Sequence, residues 1–411
     1  MRSYLIIASL ICIITAINIG YGAVSEPSEI TLGALIPMTG DWGSQGAASK
    51  AGLEIAKDDM NGFLESIGSK WRVNLTAEDT ATDPATALMK LEKMNKNGMR
   101  LVIAATSSSE LEAIRDYADA NGIIVIGTAS TAPSLAIPGD NIIRLVPDDS
   151  NQGKAMAELL RLENISAIVP IVRGDVWGEG LLDATSKNFE AGGGEVVKGV
   201  VYDPGTNFSS EARILSDLVK DSKVRYGSDR VGVYLVSFDE AVSLMALASR
   251  DPVLSSVRWF GSDGIASSIG LVENATAAEF ASETGLVCPI YGVMPAQLIV
   301  KNMSDYEHVT EAITQKTGFM PDGYAMASYD ALWIATESMI LAGPENPSQL
   351  NGALINIASR FSGVTGPLSL NRAGDRESVT YKFMMVNKTE GNYSWEIAGN
   401  VRSGPSGGVL V

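Results

Sequence analysis

The chain has 411 residues, 45% hydrophobic and 19% charged, with 41 Gly and 16 Pro, enough apolar residues for two globular domains and too many for a disordered chain. Its net charge of -17 and pI near 4.6, with no basic stripe interleaved with aromatics, remove the electrostatic footprint of a nucleic-acid binder.

The first segment, MRSYLIIASLICIITAINIGYGAV, has a basic start at Arg2, an apolar body and small residues at Gly20, Gly22 and Ala23. It reads as an export signal. The run from Tyr4 to Val24 is also nearly long enough to span a bilayer, so residues 1–24 are expected to be either a signal peptide or an uncleaved anchor. Cys12 follows bulky Ile11 and precedes no polar linker, which argues against a lipid-modified cysteine. Beyond it Cys288 is the only thiol, so the exported part forms no internal disulfide although an oxidising compartment would permit one. Asn-x-Ser/Thr triplets begin at Asn74, Asn164, Asn207, Asn274, Asn302, Asn387 and Asn392 and are compatible with surface glycosylation.

After the linker SEPSE the pattern becomes strand then helix, repeatedly. Strands are expected at Ile30 to Ile36, Trp71 to Ala77, Leu101 to Ala105 and Ile123 to Ile126, each followed by a loop and a helical period. A second series follows at Ala167 to Val172, Glu195 to Tyr202, Val231 to Val236 and Arg258 to Phe260, with helices from about Gly180, Ser209 and Asp239. Alternation of this kind implies parallel sheets covered by helices on both faces, here as two doubly wound α/β lobes. Helical patterns around Asp305 to Thr317, Tyr324 to Ala342 and Ser348 to Arg360 lead to VTYKFMMVNKTEGNYSWEIAG, which reads as an antiparallel hairpin around a polar, Gly-containing turn.

In open α/β sheets, ligands bind beyond the carboxyl ends of the strands. After the first strand comes PMTGDWGSQGAASK, with Gly40, Gly43 and Gly46 spaced three apart. The G-x-G-x-x-G spacing is absent, and Trp42 would intrude where backbone must approach a pyrophosphate, so no cofactor is expected. The stretch is a turn into a helix, with Trp42 and Gln45 placed on the core or at a cleft rim. The third strand ends in TSSSE and the fourth in TASTAPS. Ser107 and Glu110 stand three apart and form a capping box. Two successive hydroxyl-bearing loops at helix starts also suit a small carboxylate, since a helix N-terminus favours an anion by about 0.3–1 kcal/mol at exposed sites. Two ordinary caps are the plainer alternative.

In the second series RGDVWGEGL places Trp177 after a strand, SFDEA exposes Phe238 at a helix start, and RWFGSDG puts Asp263 just past another strand. Jointly they supply two flat apolar surfaces and one negative charge opposite the hydroxyls of the first lobe. That complement suits an α-amino acid. Catalytic machinery is thin: His308 is the one histidine, so Ser/His and Cys/His systems would have to use it, and no His and Cys spacing suits a metal. An enzyme is not expected.

In order along the chain, ALIPMTGDWGSQG, SSSELEAIRDYADANGIIVIGTASTAPSL, GDVWGEG, FGSDG, YDALWIA and GVTGPLSLNRAGDR resemble the signatures of the leucine/isoleucine/valine-binding protein family, the exported solute receptors of branched-chain amino acid transporters of the ATP-binding-cassette type. The resemblance implies a type I periplasmic-binding-protein fold, two Rossmann-like lobes joined by three crossovers that close on ligand by hinge motion. Lobe 1 would comprise 29–148 and 286–364, and lobe 2 would comprise 149–285 and 365–411. It further implies that Ser107 takes the ligand carboxylate, that Ala129 and Thr131 contact the amino acid through backbone and hydroxyl, that Asp263 meets the ammonium, and that Trp177 and Phe238 wall the pocket. Leucine binders of the family carry Glu where Asp263 stands and Tyr where Trp177 stands, so the anchor here is shorter and one wall larger. The function implied is capture of a small amino acid or related carboxylate and its delivery to permease subunits, in the periplasm or at the cell surface, with membrane association through the N-terminal segment left open. The alternative is an extracytoplasmic sensing module working with a separate signalling chain.

Overall fold

In the first strand, β1 (Ser28–Ile36), burial is uninterrupted from Leu32 to Ile36, as required of a strand covered on both faces. The structure is a computed structural model that describes residues 28–292, 300–343, 347–377, 380–402 and 409–410. Residues 1–24, read above as signal or anchor, lie outside the described residues.

The first half of the chain runs β1, α1 (Gly43–Ser66), β2 (Trp71–Asp79), α2 (Pro84–Lys96), β3 (Leu101–Ala104), α3 (Ser108–Asn121), β4 (Ile124–Gly127) and β5 (Ile142–Arg144). The strands form one parallel sheet in the order β2-β1-β3-β4-β5. The second half runs α4 (Asp149–Leu162), β6 (Ala167–Arg173), α5 (Val176–Ala191), β7 (Glu195–Val196), β8 (Val200–Tyr202), α6 (Ser209–Tyr226), β9 (Val231–Val236), α7 (Ala241–Ala248), β10 (Arg258–Gly261), α8 (Ile269–Glu273), α9 (Ala275–Glu283) and β11 (Val287–Gly292). Helices α10 (Val300–Thr317), α11 (Gly323–Ala342) and α12 (Pro347–Ala358) follow, then β12 (Ser362–Gly363), β13 (Gly366–Pro367), β14 (Thr380–Thr389), β15 (Asn392–Arg402) and β16 (Val409–Leu410). The second sheet is ordered β16-β15-β14-β11-β10-β9-β6-β7, with β8 also on β6.

Two strands depart from the expected pattern. Glu195 to Tyr202 was expected as one strand and is two, because Ile168 pairs with Val196 but Ile171 with Val200, leaving one extra residue opposite Pro170, which has no N–H to donate. Strand β11 was not anticipated, since its Pro289 and Gly292 punctuate the run. The ladder to β10 ends at Phe260↔Val287, so by Pro289 only β14 remains as a neighbour. Its pairing with β10 and β14 puts Val287–Gly292 in the second sheet, whereas the sequence division placed 286–364 in lobe 1. Helices α10 and α11 do pack on α1 of the first half. The hairpin is present: β14 and β15 pair antiparallel from Thr389↔Asn392, and the Glu390–Gly391 turn takes φ of 53° and 90°, the left-handed pair that matches strand twist.

The chain therefore passes between the halves after β5, after β11 and before β14. The last passage is fastened to β5. Arg144 is fully buried and pairs with both carboxylate oxygens of Asp375 at 2.6 and 2.7 Å, and Arg376 N donates to Arg144 O at 3.0 Å. Cys288, free and buried, packs on Gly261, where a Cβ would stand 2.4 Å from its sulfur. Among the described residues no helix is long and apolar enough to cross a membrane.

Candidate ligand-binding cleft

The capping box predicted from spacing is present. Ser107 is the N-cap of α3, its N–H and hydroxyl both donate to Glu110 Oε2 at 2.8 and 2.7 Å, and Glu110 N donates back to Ser107 Oγ at 3.4 Å. Glu110 is fully buried, and burial pushes its carboxyl up against the hydrogen bonds from Thr80 and Ser107 that favour the charge. Ser107 thus spends its donors on its own helix. Ser108, the first residue of α3, also reaches the second loop: its Oγ accepts from Ser130 Oγ at 3.1 Å, Thr131 N at 3.2 Å and Ala132 N at 3.1 Å. The two hydroxyl loops are stitched together by Ser108, with Ala129 buried between them.

From that loop a chain of polar contacts crosses to the second sheet. Thr131 Oγ1 donates to Asp149 Oδ2 at 2.9 Å, Gln152 Nε2 donates to Asp149 Oδ1 at 2.9 Å, and Asp263 N donates to Gln152 Oε1 at 3.1 Å. The Tyr324 hydroxyl donates to Asp263 Oδ2. Asp149, Gln152 and Tyr324 were missed by sequence reading, because DDSNQG and PDGYAM look like ordinary helix starts. Indeed Asp148 and Asp322 cap α4 and α11, and no separate signal marks their neighbours.

The aromatic walls meet as well. Phe238 lies between Trp177, centroids 4.4 Å apart and 15° from parallel, and Trp42, at 4.6 Å and 14°. Trp42 also meets Tyr324 edge-on at 6.1 Å, and its Nε1 donates to Gly264 O at 3.2 Å. Trp42 and Gln45, for which the sequence left core and cleft rim open, are only 5% and 6% exposed, because the turn before α1 inserts between the two halves. Gln45 Nε2 donates to Ser49 Oγ at 3.1 Å, beside a small cleft lined by Trp42, Asp239, Gly264 and Asp322. Asp322 is pushed up to about 6 by burial, against hydrogen bonds from Ala325, Gln45 and Tyr324.

The same turn carries an ion pair across the seam. Arg173, at the end of β6, reaches Asp41 at 3.0 Å as well as Asp175 at 2.8 Å and Glu240 at 2.6 Å. Burial opposes its charge, but Glu240 and Asp175 outweigh that and hold Arg173 more firmly protonated than usual. Asp239 N donates to Asp41 O at 2.9 Å, and Ser44 N donates to Asp239 Oδ2 at 3.2 Å.

Thr131, Asp263, Trp177, Phe238 and Trp42 thus belong to one continuous set of contacts between the sheets, while Ser107 stands apart on Glu110. Two parallel α/β halves meeting on a polar and aromatic seam define a two-lobed ligand-binding protein. The chain belongs to the family described as receptor family ligand binding region, whose model matches residues 49–389. It is 26% identical over 394 residues to an uncharacterised protein of Methanocaldococcus jannaschii, covering 91% of this chain and 90% of that one. It is 25% identical over 316 residues to the Leu/Ile/Val-binding protein BraC3 of Rhizobium johnstonii, covering 73% and 83%. The branched-chain amino acid transporter substrate-binding protein LivJ of Streptococcus pneumoniae, solved in complex with isoleucine, superposes with a TM-score of 0.73 at 18% identity, covering 90% of this chain and 99% of that one. The fold is that of the type I periplasmic binding proteins.

Proposed function

We propose that this protein is an exported, non-enzymatic solute-binding protein that captures a small amino acid, of branched-chain type or a related carboxylate, between its two halves and delivers it to the permease of an ATP-binding-cassette transporter. The observation that carries this reading is the crossing set from Thr131 through Asp149 and Gln152 to Asp263, flanked by Trp177 and Phe238. In this reading hydroxyl and backbone groups of the first half face a buried carboxylate and flat apolar walls of the second, the complement of a zwitterion with an apolar side chain. The Leu/Ile/Val-binding relatives and the isoleucine complex of the pneumococcal neighbour support the same ligand class. In this reading Thr131 and Ala129 hold one end of the ligand, Asp263 holds the ammonium, and Ser107 contributes only where a ligand carboxylate competes with Glu110. Ligand contacts to both halves stabilise the closed form.

Calorimetric titration with L-leucine, L-isoleucine and L-valine tests this. Binding is expected for the whole chain, lost in Asp263→Ala and weakened in Ser107→Ala; undiminished affinity in both variants would remove the site assignment.

A further inference from the structure

Asp149 opens helix α4 and has no exposed surface. Both its partners are neutral: Gln152 Nε2 donates to Oδ1, and Oδ2 meets the Thr131 hydroxyl, a group that can also accept from a protonated acid, each at 2.9 Å. The same Gln152 accepts from Asp263 N through its carbonyl oxygen at 3.1 Å, so a single amide grips one acid side chain with its nitrogen and holds the backbone that carries the other with its oxygen. Asp263, 4% exposed, has one oxygen on the Tyr324 hydroxyl and no hydrogen-bond partner for Oδ1 among the described residues. Arg144, whose charge acts on Asp149, is already engaged by Asp375 on two bonds and by the carbonyl of Ala132 at 2.8 Å. The other titratable groups facing the pair bring no positive charge: Tyr234 from β9, Cys288 from β11, Tyr324 from α11, Tyr381 from β14, and the carboxyl of Asp322.

Two carboxylates cannot both ionise in a buried site that lacks a free counter-charge, and such groups titrate as a pair. We propose that Asp149 is a positioning residue for the ligand's ammonium, setting Asp263 through Gln152 and holding a proton that passes to solvent when the cation arrives. This rests on the amino-acid reading above. Burial followed by the Asp263 charge pushes Asp149 well up against the hydrogen bonds from Thr131 and Gln152, and burial pushes Asp263 up against those from Tyr324 and Gln152, in line with that proton residing on Asp149. An ammonium entering beside Oδ1 of Asp263 supplies the missing local charge while the ligand's own carboxylate is met at the other end by the hydroxyl loop, so both acids ionise; the zwitterion brings no net charge, and about one proton leaves to solvent.

Two measurements on the whole chain test this. Infrared difference spectra at neutral pH, wild type minus Asp149→Asn, are expected to contain the C=O band of a protonated carboxylic acid, and in Asp263→Asn that band is expected to disappear at lower pH than in wild type. Titration of L-leucine in two buffers of different ionisation enthalpy is expected to count up to about one proton released by wild type and none by Asp149→Asn. A difference spectrum without the carboxylic acid band overturns the proposal, and so does equal proton release by both proteins. Failure of L-leucine to bind would count against the amino-acid reading, while the infrared arm would still decide the state of Asp149. A protonated acid that merely supported the fold would give the band but no proton release linked to the ligand.

Discussion

Glu337 lies on α11 with its carboxyl pushed up to about 7 by burial, against the partial relief of Arg360. Its folded value exceeds the unfolded one, so the protonated acid adds stability in full below the unfolded value, and that contribution is lost as pH rises through about 7. Glu337→Gln is therefore expected to raise the urea midpoint at about pH 8 and to leave it nearly unchanged at about pH 4; an equal shift at both would disprove the linkage. Ser107 and Ser108 show how far single residues could be read. The capping box needs only the local spacing of Ser107 and Glu110, and it was legible. Which of three successive serines faces the next loop depends on how β3 and β4 pair, and local sequence does not encode that.

At the scale of elements, alternation made the parallel strands and the hairpin readable, because period and turn chemistry are local. Strand β11 was illegible because Pro289 marks a loop unless the neighbouring ladder is known to end two residues earlier. Helix packing is likewise set by close approach. A Cβ on Gly153 of α4 would stand 2.6 Å from the Ala184 carbonyl carbon and 2.8 Å from its oxygen on α5, and backbone cannot yield as a side chain can. Gly153→Ala is expected to lose about 1–3 kcal/mol in urea denaturation. Gly62, exposed on α1 with nothing within 4 Å of its Cβ position, is the control: Gly62→Ala is expected to gain up to about 1 kcal/mol. Equal effects of the two changes would rule out contact of α4 with α5 as the cause.

For the whole molecule, the turn Asp41–Ser44 is where the first half reaches into the second. Its one ion pair, Asp41 with Arg173, joins a side chain 35% exposed to one 5% exposed, so its value is modest, about 0.2–1 kcal/mol, and sensitive to salt. Asp41→Asn is expected to lower the ratio of closed to open molecules by up to roughly fivefold at low ionic strength and less at high, measured as a distance distribution between probes on α2 and α6. An unchanged distribution would show that Trp42 and its stacking on Phe238 hold the seam alone. The two sheets were legible from sequence as two series of strands, and so were Thr131, Trp177, Phe238 and Asp263 of their seam, which follow strand ends; Asp149, Gln152 and Tyr324 were not, since they sit in ordinary helix starts and meet the others only through the fold. The thiol of Cys288 bears on that experiment. It is fully buried, and burial pushes it well up, so it has little thiolate to offer a reagent. In protein prepared without residues 1–24, and so without Cys12, the native thiol is silent, and a cysteine introduced on each half would be the only handle a maleimide could find, leaving opening and closing to be timed on an otherwise unaltered background.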